Sequence, residues 1–369
     1  MTTHHADVVG SLLAPPELAE VQSYTPVREI SPEELRELQD HAIDDALAVQ
    51  ERAGVDVVTD GELRRVQFFD QFVTGMAGLA PGSGGSATFH SDDGEDVSFE
   101  VPVCVQAPIE FRRALAVEEF SYLKGKTERT IKVTIPSPLL LISVWNDELS
   151  RAAYADPFEL FAAGVELIRE QIVQLRELGC EYVQIDAPEL IQGFADEQVQ
   201  AERSAQGLDP ERFMAEGIDY INAALDVPGI RRAVHLCRGN YAGMWTARGG
   251  YEDLARSCFA RAPNVDVWML EYDDDRSGGF EPLADLPDDK VAVLGLVTTK
   301  RAAMEDPARL RARIDEAARF HPREQLGIST QCGFESGTNA PLDAERQEDK
   351  LRLVADVAHQ VWAHGGRPA

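Results

Sequence analysis

At 369 residues, 44% hydrophobic and 27% charged, the chain has the length of one α/β barrel with insertions, and no apolar run approaches the roughly 18 to 20 residues of a membrane span. Its 64 Asp and Glu against 35 Lys and Arg give a formal charge of −29, which argues against nucleic acid or an anionic membrane surface as the main partner. The carboxylates are spread along the chain, as in a surface charged for solubility, and the opening MTTHHADVVGSLLAPPE lacks the parts of a secretory signal, so the cytoplasm is the expected location.

Short β-branched runs ending in Gly, Asp or Ser predict eight strands, at 6–9, 55–59, 130–135, 182–185, 232–235, 265–270, 291–295 and 325–329. Amphipathic stretches between them predict helices. That at 31–52 opens on Ser31-Pro32-Glu33-Glu34, an N-cap, a proline at the first helical position and a capping-box glutamate, while those at 156–178 and 306–320 open on Asp-Pro. Eight strands with helices between them predict a single (β/α)8 TIM barrel domain over 1–369. Residues 75–94, rich in Gly, Ser and Asp, read as a mobile loop, and 97–107 with 111–126 as an excursion, so an insertion of about 75–126 falls between the second and third strands. It is either a lid over the barrel mouth or surface decoration. Gly82-Ser-Gly-Gly85 is followed by neither a helix nor Lys and does not read as a phosphate-binding loop.

The chemistry concentrates at strand ends. His235 and Cys237 are spaced i, i+2, so a strand turns both side chains to one face. Glu271 in MLEYD and Cys332 in STQCGF lie at the ends of later strands, on the face where such barrels carry chemistry. Singly, each reads as a structural histidine, a core thiol or a solvated acid. Together, two thiols, an imidazole and a carboxylate suit Zn2+, and a set scattered over three segments suits a metal that binds substrate. A thiol bound to zinc loses its proton near neutral pH and stays nucleophilic, as alkyl transfer to sulfur requires. Cys104, Cys180 and Cys258 sit among apolar or small neighbours and read as reduced core residues.

VVGSLLAPPEL, VDVVTDGELRR, KVTIPSP, YVQIDAPEL, HLCRGNY, LEYD, LGLVTTK and STQCGF occur in the order and spacing of the catalytic domain of the cobalamin-independent methionine synthase family. Over essentially its whole length the chain resembles the short, single-barrel branch, which includes methionine-synthase-like proteins and epoxyalkane:coenzyme M transferases. The resemblance implies a zinc-dependent S-methyltransferase with His235, Cys237, Glu271 and Cys332 as ligands. It further implies that Ser11 helps to hold a homocysteine carboxylate and that Glu62 and Asp186 hold its ammonium. Each of these three follows a predicted strand, although Ser11 also reads as a cap and Asp186-Ala-Pro188 as a turn start.

The chain departs from the long enzymes at two points. It has Asp186-Ala-Pro-Glu189 where they have Asp-Glu-Pro-Ala, and 294–300 lacks their catalytic histidine, so the methyl donor is left open between a folate and a corrinoid. Trp145 resembles their pterin-stacking aromatic at an imperfect offset; its alternative is a core or lid residue. Arg64, Arg65, Arg238, Lys300 and Arg301 follow predicted strands and either form a cationic collar for an anionic substrate or pair locally with Glu62, Asp186 or Glu271. Three readings follow: methyl transfer to homocysteine or a related thiol, opening of an epoxide by coenzyme M, and a zinc-bound thiol sensor without turnover. A homodimer is the candidate assembly.

Overall fold

The computed structural model describes residues 4–335 and 340–362; the outermost residues of the expected domain, 1–3 and 363–369, lie outside them. Its centre is a seven-stranded parallel sheet. In chain order the strands are β1 (Val57–Val58), β2 (Met76–Pro81), β3 (Ser86–His90), β4 (Asp96–Glu100), β5 (Val103–Phe111), β6 (Thr130–Pro136), β7 (Tyr182–Asp186), β8 (Arg231–Leu236), β9 (Val267–Glu271), β10 (Val291–Val297) and β11 (Leu326–Thr330), and the sheet order is β1-β6-β7-β8-β9-β10-β11. Helices cover its outer side, and their entry signals work as the residues predict. Ser31 accepts a hydrogen bond from the Glu34 N–H ahead of helix Pro32–Ala53, and Asp156 and Asp306 cap Pro157–Glu177 and Pro307–Ala317 in the same way.

The sheet is curled, and one segment reaches both of its edges. Asp7 donates its N–H to the Ile328 carbonyl at 3.1 Å, Ile328 donates to the His5 carbonyl at 2.8 Å, and Asp56 donates to the Ala6 carbonyl at 2.9 Å. The expected strand at 6–9 is nevertheless no regular strand, since it makes a single parallel bridge, Ala6 to Ile328. Side chains take up its next carbonyls: Lys132 donates to Val8, Gln184 to Val9 and Thr59 to Gly10. The strand expected at 55–59 shrinks to β1 for the same reason. Both backbone groups of Thr59 are met by the Gln50 amide, and the Val55 carbonyl by Arg129.

Alternation along the strands separates two apolar clusters. Val234, Leu236, Trp268, Leu270, Val183 and Ile185 face the helices, whereas Val9, Val57, Tyr182, Ala233, Val267, Met269, Val291 and Val293 form a small cluster on the other face. This inner face also buries a charge. Lys132 lies 2.8 Å from Asp7, both at most 1% exposed, and Tyr182 donates its hydroxyl to the second Asp7 oxygen at 2.9 Å.

The insertion is more ordered than its composition suggests. The expected loop at 75–94 contains β2 and β3, which pair antiparallel with β5 and β4 respectively. Gly78 is responsible for much of the misreading. It lies at a register shift with φ +89°, and a Cβ there would meet the carbonyl oxygens of Ala107 and Pro108 at 2.6 Å, so this glycine marks a bulge and not a loop. Helix Leu115–Leu123 then leads to β6. No helix among the described residues is long and apolar enough to cross a membrane.

The buried pair yields a stability prediction. Lys132→Met leaves Asp7 charged and buried, and is expected to lower the unfolding free energy in urea by about 3–5 kcal/mol. The double variant D7N/K132M should recover a large part of that loss, and strictly additive losses would contradict the pairing.

Candidate metal and thiol site

The two-residue period that places Ala233 and Met269 on the inner face carries on to the strand ends. On β8 it turns His235 and then Cys237 inward, on β9 Glu271, and on β7 Asp186, which stands opposite His235 in the parallel register. Cys332 follows β11 by two residues. The ligand atoms of His235, Cys237 and Cys332 all lie within 4.8 Å of one another, and all three residues are buried.

Three features of this triangle fit a metal. The Cys237 and Cys332 sulfurs are 3.8 Å apart, too far for a disulfide and close to the edge of a tetrahedron with metal–sulfur bonds of about 2.3 Å. Among the described residues neither buried ring nitrogen of His235 makes a well-formed hydrogen bond, and the polar group it leans on is the Cys332 thiol. The contact with Cys332, burial and the Glu271 charge push the Cys237 thiol well above its ordinary range, so a neighbouring cation is what could make it a thiolate.

Glu271, the fourth expected ligand, is not a member of that group. It belongs to a second one with Asp273 and Asp274, whose ligand atoms also lie within 4.8 Å of one another. The Lys300 ammonium sits among them, 2.7 Å from Glu271 Oε1 and 3.2 Å from an oxygen of each aspartate. The Arg238 N–H donates to Glu271 Oε2 at 2.6 Å, so both carboxylate oxygens are engaged. Burial would raise the Glu271 carboxyl, but Lys300 and Arg238 outweigh it and hold it below the usual range. Burial also works against the Lys300 charge, and the three acids overcome it and raise its pKa, so Lys300 is a poor proton donor at neutral pH.

The expected substrate residues meet nearby. Glu62 Oε1 accepts a hydrogen bond from the Thr134 hydroxyl at 2.7 Å, and Gln184 donates to Asp186 at 2.7 Å. A Cβ at Gly10 would clash with Glu62 and one at Gly333, beside Cys332, with the Ser11 hydroxyl, so both glycines let these side chains approach the backbone closely. Glu62 is held at φ +59°, in the left-handed region, with its N–H bound to Asp60. A non-glycine residue there stores about 1–3 kcal/mol of strain. Burial chiefly, with the Asp186 charge adding to it against Arg65, raises the Glu62 carboxyl to about 7, and burial likewise raises Asp186. The two acids resist carrying two negative charges at neutral pH.

The cationic collar does not form. Arg64 pairs with Asp40, and Arg65 makes two bonds to Glu119, at 2.8 and 2.6 Å. Arg238 is buried against Gly249 and Tyr251, and Lys300 serves the acids; Arg301 is exposed. In a chain this acidic, local pairing takes the cations. Trp145 is 1% exposed and belongs to the core, with no face at the mouth. Sequence reasoning missed Thr134 as the partner of Glu62 and Asp273 and Asp274 as partners of Lys300, although the run Asp273-Asp-Asp275 was a signal for the latter. It also missed the docking of the β3–β4 hairpin on the loop after Cys237. There His90 and Trp245 exchange backbone hydrogen bonds at 2.7 and 3.0 Å, and the Phe99 and Tyr241 rings lie 4.6 Å apart. A surface cleft of about 780 Å³ between Phe194, Met214 and Asp253 includes none of the expected site residues and is removed from this chemistry.

The Glu62 shift has a definite sign. With its carboxyl raised from 4.5 to about 7, the contribution of Glu62 to stability is fully present below the ordinary value and is lost as pH rises through about 7. Glu62→Gln, neutral at every pH, should therefore gain on the parent between about pH 5 and 7.5 in urea unfolding and then level off. A difference independent of pH would contradict the burial argument.

Residues 3–360 match the family model described as the cobalamin-independent synthase catalytic domain. The chain is 35% identical over 363 residues to the uncharacterized protein YxjH of Bacillus subtilis (strain 168), covering 97% of this chain and 94% of that one. It is 23% identical over 333 residues to a methionine synthase of Thermococcus kodakarensis, covering 89% and 85%. Among solved structures, a B12-independent methionine synthase from Shewanella sp. W3-18-1 in complex with selenomethionine superposes with a TM-score of 0.75 at 22% identity, over 97% of this chain and 98% of that one. Over residues 3–360, nearly its whole length, the chain belongs to the cobalamin-independent methionine synthase family.

Proposed function

We propose that the chain is a single (β/α)8 barrel domain, with an insertion of about 75–126, that transfers a methyl group to the thiol of homocysteine or a close relative. The observation that carries this reading is the buried triangle of His235, Cys237 and Cys332, beside an acid pair at the same end of the strands. Those three residues would hold Zn2+, with Glu271 the adjoining fourth group. Zinc, when bound, lowers the pKa of a substrate thiol so that it is a thiolate near neutral pH.

The protein's own residues set the geometry. Glu62 and Asp186 receive the substrate ammonium, whose charge allows both acids to ionise, and Ser11 with the neighbouring backbone holds the carboxylate. The sulfur–carbon bond forms as the donor's bond to that carbon breaks, and the bonding electron pair departs with the donor. The relatives named methionine synthase support homocysteine as acceptor and membership of the methyltransferase class. A thiol bearing a sulfonate would require an unpaired cation within the site, and Arg64, Arg65, Arg238 and Lys300 are each engaged while Arg301 is exposed at the surface, which favours the amine-bearing substrate.

Initial rates on the zinc-loaded protein, with methylcobalamin or a methyltetrahydrofolate as donor, test this directly. Homocysteine should be methylated, and Glu62→Gln and Asp186→Asn should each raise its half-saturating concentration about 10- to 100-fold, the equivalent of one charge-assisted hydrogen bond. 4-Mercaptobutyrate, which differs from homocysteine only in lacking the amine, should be affected little. Equal losses for the two thiols would contradict the assignment of the acid pair, and thiol binding without turnover by any donor would favour a sensor.

A further inference from the structure

Cys237 lies one residue beyond β8 and Cys332 two beyond β11, with β9 and β10 between those strands in the sheet. The two thiols therefore sit on independent loops, and two thiolates would repel each other. Something other than the sheet has to hold them at 3.8 Å. Thr299, fully buried two residues past β10, reaches both loops. The Asn240 amide, three residues after Cys237, donates to the Thr299 hydroxyl at 3.0 Å and to the Gly333 carbonyl at 3.3 Å, and the Thr299 hydroxyl lies 2.9 Å from that same carbonyl. The Thr299 N–H donates to the side-chain oxygen of Gln331 at 2.6 Å, and the Gln331 N–H to the Val297 carbonyl at 2.9 Å. Both chain neighbours of Cys332 are thus tied to the end of β10. The Cys237 loop packs on the same segment, since a Cβ at Gly243 would meet the Lys300 carbonyl oxygen at 2.7 Å.

We propose that Thr299, together with Asn240, is a positioning residue of the metal centre: it ties the Cys237 loop to the backbone on either side of Cys332 and so sets the separation of the two thiols before a metal arrives. This inference rests on the zinc–thiol reading. The bonds are not local turn closures, for they join positions 59 and 34 residues apart. They are also buried, so water cannot replace a lost partner and the loops must shift to relieve it. A site whose ligands already stand at the edge length of a metal tetrahedron binds without the cost of drawing two loops together. Partners beyond the ligand shell commonly alter metal affinity about 10- to 100-fold, and the loss of this clamp should fall in that range.

Variants of the whole protein test this, with zinc affinity read by competition against a chromophoric chelator. Thr299→Val, which keeps the shape and removes the hydroxyl, should weaken zinc binding about 10- to 100-fold, and Asn240→Ala should do so by a similar factor. The double variant should lose less than the product of the two, because both residues act through the Gly333 carbonyl. Thr299→Ser, which restores the hydroxyl, should behave as the parent. Cobalt in place of zinc gives a second readout: at saturating metal, the sulfur-to-cobalt absorption per bound ion should fall in Thr299→Val, which a loss of fold stability alone would not produce. Unchanged zinc affinity in Thr299→Val, or a loss that Thr299→Ser shares, would overturn the proposal. If the valine variant does not fold, unchanged affinity in Asn240→Ala, a substitution in a loop, overturns it instead. Cys237→Ser and Cys332→Ser separate the two levels of the argument. If they abolish zinc binding while the clamp variants bind as the parent does, only the role of Thr299 and Asn240 falls; if they leave zinc binding intact, the metal reading falls with it.

Discussion

The interior of the curled sheet is a place where charge is denied water, and the rest of the structure depends on how each buried ionisable group there is matched. Towards the beginning of the strands the matching is complete: Lys132, Asp7 and Tyr182 satisfy one another, and the inner apolar cluster packs around them. Towards the strand ends it is incomplete. Among the described residues His235 makes no well-formed hydrogen bond through either ring nitrogen, the Cys237 thiol is pushed up, and Glu62 and Asp186 crowd their charges together. A folded chain tolerates such groups where a ligand completes them, and here a divalent cation and an ammonium are the complementary charges.

Backbone strain points to the same place. Glu62 is one of two non-glycine residues with positive φ among the described residues; the other, Ala242, lies in the loop after Cys237. Glu62 is fixed by its own Thr134 bond, by the Asp60 turn and by the space that Gly10 leaves, so local strain is exchanged for a carboxylate of defined position. The β3–β4 hairpin, docked through His90 and Trp245, lies on the loop that follows the inward-facing Cys237, which ties the 75–126 segment to the candidate site.

Much of this was legible in the residues, for a physical reason. β7, β9, β10 and β11 are buried along their whole length, so short runs rich in β-branched and apolar residues reveal them, and the period of two then predicts which side chains share the inner face. The helix entries at Ser31, Asp156 and Asp306 were legible because capping is local. Features that depend on distant side chains were not. The 6–9 and 55–59 segments look like full strands, yet Lys132, Gln184, Thr59 and Gln50 take the backbone groups that a ladder would use. Glycine at 78 reads as a loop signal until the close carbonyls across the bulge are seen, and Arg65 reads as an open cation until Glu119 is found beside it, 54 positions away. Glu271 illustrates the limit most clearly: its residue type and strand position suggest a ligand, while its engagement with Lys300 depends on a contact between two strands.

The central claim is that His235, Cys237 and Cys332 hold a metal that takes the substrate thiol. X-ray absorption at the zinc edge of the zinc-loaded protein, recorded before and after homocysteine is added, tests it most directly. The account predicts two sulfur scatterers at about 2.3 Å beside an imidazole, rising to three when the thiol enters. A sulfur count that stays the same under saturating homocysteine, or a zinc site without the two protein sulfurs, would contradict it.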